Sequence, residues 1–194
     1  MTAIALPRKR VLADVIPGGL VRDAVLVLGG AAFVGLLAQF AIPLSFTPVP
    51  LTLGTFAALL TGAALGSVRG LLSVGLYMVA GMAGVPWFAG HASGYGFPSF
   101  GYIIGFVAAG ALVGLLAQRG ADRTVAKTAA TMVLGNVVIY AVGLPYLMAS
   151  TGMDLSTGLA KGVVPFLVGD AIKIAVAAGL LPATWKLVQR VEQR

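Results

Sequence analysis

The chain has 194 residues, of which 59% are hydrophobic and 10% charged, and its mean hydropathy is +0.99. Too few polar side chains are present to cover a water-soluble globule of this size, so the composition predicts an integral membrane protein. The lack of Cys excludes disulfides and thiolate chemistry, and the single His excludes a multi-histidine metal site. No G-x-x-x-x-G-K-[ST] phosphate loop occurs, so we do not expect the chain to bind and hydrolyse ATP itself.

Six apolar runs, separated by charges or by Pro and Gly turns, predict an all-α bundle of six transmembrane helices. The runs cover about 24–42, 51–66, 70–85, 101–118, 128–149 and 162–183. We expect one transmembrane domain over 1–194, with an uncleaved arm at 1–22, a bundle at 24–183 and a tail at 184–194. A span needs roughly 20 residues, so the second and third helices are short, and their glycines favour close helix contacts.

The distribution of basic residues predicts the orientation of the bundle. Eleven of the thirteen Lys and Arg residues lie in the arm, in the loops after the second and fourth runs, and in the tail; the others are Lys161 and Lys173. Cytoplasmic loops are enriched in Lys and Arg, so both termini are expected in the cytoplasm and the protein in the cell membrane. The formal charge of +7 is therefore assigned to topology rather than to nucleic-acid binding.

Two ionisable residues, Asp170 and Lys173, lie in the middle of the sixth run. An unpaired charge there costs about 2.5–3.5 kcal/mol or more, and the i, i+3 spacing places both side chains nearly on one helix face. A carboxylate accepts hydrogen bonds and an ammonium donates them, so the pair suits a ligand with N–H donors and carbonyl or carboxylate acceptors. The alternative is a structural ion pair between helices.

Aromatic and polar residues elsewhere suggest further parts of a site. The loop at 85–100 combines glycines with aromatic side chains and includes Trp87, Phe88 and His91. It suits a lid over an organic ligand, although an interfacial aromatic belt also places Trp and Tyr at this depth. Asn136 and Tyr140, one turn apart in the fifth run, either line a cavity or form hydrogen bonds between helices.

A stripe of small residues in the first run, Ala31, Gly35 and Ala38, favours close approach by another helix. The sequence does not distinguish docking of a partner from packing within the bundle.

Five segments occur in an order that resembles one family. They are "PVPLT" at 48–52, "LLTGAALG" at 59–66, "LYMVAGMAGVPWFAG" at 76–90, "GYIIGF" at 101–106 and "VVPFLVGDAIK" at 163–173. The chain is similar over about 33–183 to the BioY family, the biotin-specific substrate-binding (S) components of energy-coupling factor (ECF) transporters. It departs from the usual family residues at Gly54, Phe97 and Phe100.

The resemblance implies a six-helix S-component fold with a cavity open to the outer face, biotin as the transported ligand, and neither cofactor nor catalytic residues. It implies as partners a transmembrane coupling subunit, docked on the small-residue stripe, and two cytoplasmic ATPase subunits, with the lipid bilayer around the bundle. The predicted substrate-binding residues are Asp170, Lys173, Trp87, Phe88, His91, Tyr102, Asn136 and Tyr140. The alternatives are an S component for another vitamin, a small membrane enzyme that uses Asp170, and a structural subunit without a ligand.

Overall fold

The computed structural model describes residues 10–193, so Arg8, Lys9 and Arg194 of the predicted arm and tail lie outside the described residues. The described residues are predominantly helical. Its elements are α1 Leu20–Ala38, β1 Ala41–Ile42, β2 Leu51–Thr52, α2 Gly54–Leu65, α3 Ser67–Met82, α4 Phe100–Ala117, α5 Val125–Thr151, α6 Leu155–Gly162 and α7 Leu167–Glu192, with 3-10 turns at Leu12–Val15, Ala89–His91 and Val164–Phe166.

The six longer helices confirm the six predicted apolar runs. Four stretches are long and apolar enough to cross a membrane, namely Leu20–Ala38, Phe100–Ala117, Val125–Thr151 and Leu155–Glu192, and α2 and α3 are shorter apolar helices. Apolar runs become helices because only a helix satisfies all its backbone hydrogen bonds internally in lipid. Large apolar side chains lie exposed on the outside of the bundle, including Leu36, Val137 and Ile172, as expected for a multi-pass membrane protein.

The first and last helices differ from the predicted runs at both of their ends: they begin at Leu20 and Leu167 instead of 24 and 162. The first helix ends at Ala38 instead of 42, because Ala41 and Ile42 pair with Thr52 and Leu51 in an antiparallel hairpin. Apolar composition does not distinguish the end of a helix from a short strand. The last helix continues past 183 to Glu192, through the predicted tail, and buries Trp185.

The short helix α6 was not predicted as a separate element. It begins after Asp154, whose carboxylate accepts a hydrogen bond from the Thr157 amide at 3.3 Å. Such an N-cap stabilises the first turn of a helix. Helix α6 packs beside α5.

Helix α4 is the centre of the bundle: 61% of its span is buried, compared with 17% for α1. It meets α2 and α3 where glycines replace side chains. A methyl group built on Gly62 of α2 would lie 2.2 Å from the carbonyl oxygen of Gly110, and one on Gly70 would lie 2.9 Å from the Cα atom of Gly62. These contacts confirm that the short, glycine-rich helices pack backbone against backbone.

The bundle has two chemically different ends. We call the basic end the one formed by residues 10–19, 66–69, 118–124 and 184–193; Arg69 forms ion pairs there with Asp14 and Asp23, and Arg123 donates to the carbonyl oxygen of Arg10 at 2.6 Å. The loop end comprises 39–53, 83–99 and 152–166. Thr47 there donates to the carbonyl oxygen of Lys161 at 2.8 Å.

Candidate functional site

A cavity of about 270 Å³ lies at the loop end. This volume is near the lower end of the roughly 300–1,000 Å³ found for small-molecule sites. The hairpin residues 48–52 and the loop between α3 and α4 form one side, and α4, α5 and α7 form the other. Most of the lining is apolar or aromatic, including Val49, Phe88, Phe97, Ile103 and Phe166.

The polar side of the cavity is a hydrogen-bonded cluster around Asp170, which is only 5% exposed. The Lys173 ammonium lies 3.2 Å from one carboxylate oxygen of Asp170 and donates to the hydroxyl of Thr55 at 2.9 Å. The Tyr140 hydroxyl donates to the second carboxylate oxygen. The spacing i, i+3 on α7 accounts for the ion pair, and α5 and α2 supply the other two partners.

Two of the predicted polar residues extend this wall. Asn136 lines the cavity one helical turn before Tyr140 on α5. The ring of Tyr102 also lines the cavity, but its hydroxyl donates to the carbonyl oxygen of Gly162 at 2.8 Å. Tyr102 therefore contributes an aromatic face to the cavity and joins α4 to the end of α6.

The segment 83–99, which we call the aromatic loop, carries three of the predicted substrate-binding residues. Only one of them, Phe88, lines the cavity. Phe88 is 1% exposed, lines the cavity and contacts Tyr77 edge-on, with ring centroids 5.1 Å apart. Trp87 lies outside the cavity lining and donates from its indole N–H to the carbonyl oxygen of Tyr77 at 2.8 Å. His91 is also outside the lining, exposed, and in the left-handed backbone region with φ of 59°.

The small-residue stripe of α1 lies inside the bundle. Ala31 is 1% exposed, and Ala38 is 2% exposed and lines the cavity. A methyl group built on Gly35 would lie 2.9 Å from the Trp87 ring. This placement favours packing within the chain over docking of a partner at these three positions, because their surfaces are already covered.

The departures from the family pattern lie at or near the cavity. Phe97 lines it, and Phe100 packs edge-on against Phe97 with ring centroids 5.7 Å apart. A methyl group built on Gly54 would lie 3.3 Å from the Phe106 ring, which also lines the cavity. The Phe97 ring thus forms part of the cavity wall, and the residues at 54 and 100 lie behind it, against rings that line the cavity.

Residues that the sequence did not single out also reach the site. Thr55 is the fourth member of the Asp170 cluster, and Thr52 and Ser99 add hydroxyl groups to the lining. A Thr in an apolar helix has no distinctive spacing, so only the packing of α2 against α7 reveals the role of Thr55. Altogether the cavity offers a mostly apolar volume with an acceptor and donors along one wall, which suits an organic ligand that has a compact polar group.

Comparison with known proteins gives the family. A model of the BioY family matches residues 7–190. A probable biotin transporter from Pyrococcus horikoshii is 39% identical over 151 residues, covering 76% of this chain and 88% of that protein. A biotin transporter from Rhizobium etli is 32% identical over 170 residues, covering 81% and 89%.

The fold also has a solved counterpart, described as the S-component for biotin from an ECF-type ABC transporter. It has a TM-score of 0.74 and 24% identity to this chain, and the match covers 90% of this chain and 92% of that one. This similarity confirms the predicted six-helix S-component fold. From the extent of the family match and the identity to curated relatives, the chain belongs to the BioY family.

Proposed function

We propose that this chain binds biotin and is the S component of an ECF-type transporter that takes up biotin across the cell membrane. One observation carries the proposal: the ion pair of Asp170 and Lys173 lies on one wall of a mostly apolar, aromatic cavity. The ureido ring of biotin has two N–H donors and one carbonyl acceptor, and its bicyclic and valeryl parts are apolar. The family membership and the transporters among its relatives support the same conclusion.

Within this proposal, Asp170 accepts from a ureido N–H and Lys173 donates either to the ureido oxygen or to the tail carboxylate. Tyr140, Asn136, Tyr102 and Phe88 complete the contact surface. Trp87 and His91 act from behind the cavity lining, through the fold of the aromatic loop. The support for these roles is the convergence of the polar side chains on one volume.

We also propose that the loop end faces outward and that both termini are cytoplasmic. Arg10, Arg69, Arg123 and other basic residues lie at the end of the bundle opposite the cavity, in agreement with the enrichment of Lys and Arg in cytoplasmic loops. No ATP-binding loop occurs in the sequence, so the energy for active transport would come from partners. We assign this role to two cytoplasmic ATPase subunits, coupled through a transmembrane subunit.

Equilibrium binding tests the proposal directly. The purified chain in lipid nanodiscs is titrated with biotin, and riboflavin and thiamine serve as comparison ligands. We expect saturable, submicromolar binding of biotin and none of the other two vitamins. Tight binding of a comparison vitamin without biotin binding would instead establish an S component for another ligand.

The same samples test the enzyme alternative. Biotin recovered after incubation is expected to have an unchanged mass, because the relatives are transporters and the proposed site only binds. A chemically altered ligand would contradict the assignment.

A further inference from the structure

Gln39, immediately after α1, joins that helix to the aromatic loop. Its side-chain nitrogen lies 2.7 Å from the carbonyl oxygen of Trp87, 3.2 Å from that of Phe88 and 3.1 Å from that of Gly35. Its side-chain oxygen accepts from the backbone N–H of His91 at 3.3 Å. One side chain thus contacts both ends of the 87–91 turn.

These contacts require an amide. Three carbonyl acceptors surround the nitrogen, whose two protons are shared among them, and an N–H donor faces the oxygen. The partners therefore fix the orientation of the amide group. A carboxylate of nearly the same shape would place an oxygen against the carbonyl groups and would have no proton to donate.

The 87–91 turn, which Gln39 contacts, forms part of the cavity wall. Phe88, Ala89 and Ala92 line the cavity from this loop. Gly90 and His91 both adopt left-handed backbone conformations, with φ of 68° and 59°. A residue other than glycine rarely adopts this conformation, so the His91 backbone needs support from its surroundings.

We propose that Gln39 is a positioning residue for ligand retention: by binding the 87–91 turn through its amide, it keeps the Phe88 wall closed against the cavity. It acts through the loop, since Gln39 itself is not part of the cavity lining. The inference rests on the proposed function for the identity of the ligand. Loss of the amide contacts frees the turn, and the ligand then leaves faster.

The experiment compares the full-length wild type with Gln39→Leu and Gln39→Glu in nanodiscs. Hydrogen exchange of peptides covering 84–99 reports on the loop, and a chase of bound radiolabelled biotin gives its dissociation rate. Gln118→Leu is the matched control, because Gln118 follows the last residue of α4 as Gln39 follows that of α1, but at the basic end. Glu replaces Gln with little change of shape, so Gln39→Glu supplies the test if the Leu variant folds poorly.

We expect faster exchange in the loop and about tenfold faster biotin dissociation in both Gln39 variants, because changes at one interface act mostly on the dissociation rate. Gln118→Leu should change neither quantity. Unchanged exchange in the Gln39 variants overturns the anchoring role, and faster exchange with unchanged dissociation overturns its link to retention. If the wild type binds no biotin, the proposed function fails, while the exchange data still decide whether Gln39 anchors the loop.

Discussion

Two buried carboxylates at opposite ends of the bundle have similar partners and different surroundings. Asp170 is paired with Lys173 and accepts from the Tyr140 hydroxyl; Asp122 lies next to Arg123 and accepts from the Trp185 indole N–H. Their exposed fractions are 5% and 2%. Asp170 lines the cavity and Asp122 does not. Burial and pairing are thus common to both, and contact with a cavity distinguishes the candidate ligand site.

The two clusters also differ in what they connect. At the basic end, the Arg123 guanidinium stacks 3.3 Å above the Trp185 ring, and Asp122 joins the loop between α4 and α5 to the end of α7. The second oxygen of Asp122 lies 3.4 Å from Arg123 Nε without forming a hydrogen bond. This arrangement holds two segments together. Both oxygens of Asp170, in contrast, accept hydrogen bonds from side chains that line the cavity.

The largest expected effect is a loss of biotin affinity when the Asp170 carboxylate is neutralised, and the same change at Asp122 is the comparison. Asp170→Asn leaves the Lys173 charge without its partner beside the ligand, and truncating a buried charge pair typically costs enough to weaken binding about 100-fold or more. Asp122→Asn is the matched control, and its biotin affinity is expected to equal that of the wild type. Isothermal titration of both variants with biotin measures the difference. Equal loss in both variants would mean that the two ends do not differ in function.

A smaller effect is expected when each carboxylate loses its aromatic donor. Tyr140→Phe removes one hydrogen bond to Asp170 while Lys173 remains, so we expect about tenfold weaker biotin binding, as for one hydrogen bond to a charged group. Trp185→Phe removes the donor to Asp122 and is expected to lower the melting temperature by a few degrees without a change in affinity. Titration with biotin and thermal melting of both variants show whether the affinity changes only in Tyr140→Phe and remains unchanged in Trp185→Phe. A loss of affinity only in Trp185→Phe would reverse the comparison.

The fold was largely predictable because apolar runs of sufficient length have few alternatives in a membrane. The helix boundaries were harder to predict. Residues 40–42 continue the apolar run of the first helix, yet Ala41 and Ile42 belong to the hairpin. The helix α6 was missed because eight residues with mixed polarity give little periodic signal. Where an element ends depends on tertiary pairing that composition does not contain.

The site was predictable where chemistry is unusual for its position. Charges in an apolar helix identified Asp170 and Lys173 as candidates, and helical spacing added Asn136 and Tyr140. Thr55 and Gln39 have ordinary side chains, and their contacts arise only when distant segments meet. The small-residue stripe of α1 is a different case. Small residues predict that something packs closely against them, but the sequence does not identify which segment does so.

The pH dependence of stability gives the smallest expected effect, and Asp122 at the basic end is the group that we test for it. Burial raises the pKa of Asp122, although the Trp185 hydrogen bond and the Arg123 charge oppose this shift. Asp154 behaves oppositely: hydrogen bonds from Ser156 and Thr157 lower its pKa to about 2. As the pH rises, the two carboxyl groups therefore change the stability of the wild type in opposite directions. The contribution of Asp122 is isolated by comparison with a variant that lacks only this carboxyl group.

Asp122→Asn is that variant, because it keeps every other titrating group. With its pKa raised in the folded state, Asp122 binds a proton more tightly when the chain is folded, so its contribution to stability is greatest below the unfolded pKa and is lost as pH rises through the folded value. The melting temperature of Asp122→Asn relative to the wild type should therefore rise as the pH increases above the ordinary Asp pKa of about 4. Thermal melts of both proteins across this range measure the difference. A difference that is constant with pH, or that falls, would show that Asp122 stays ionised in the folded protein and that Arg123 outweighs its burial.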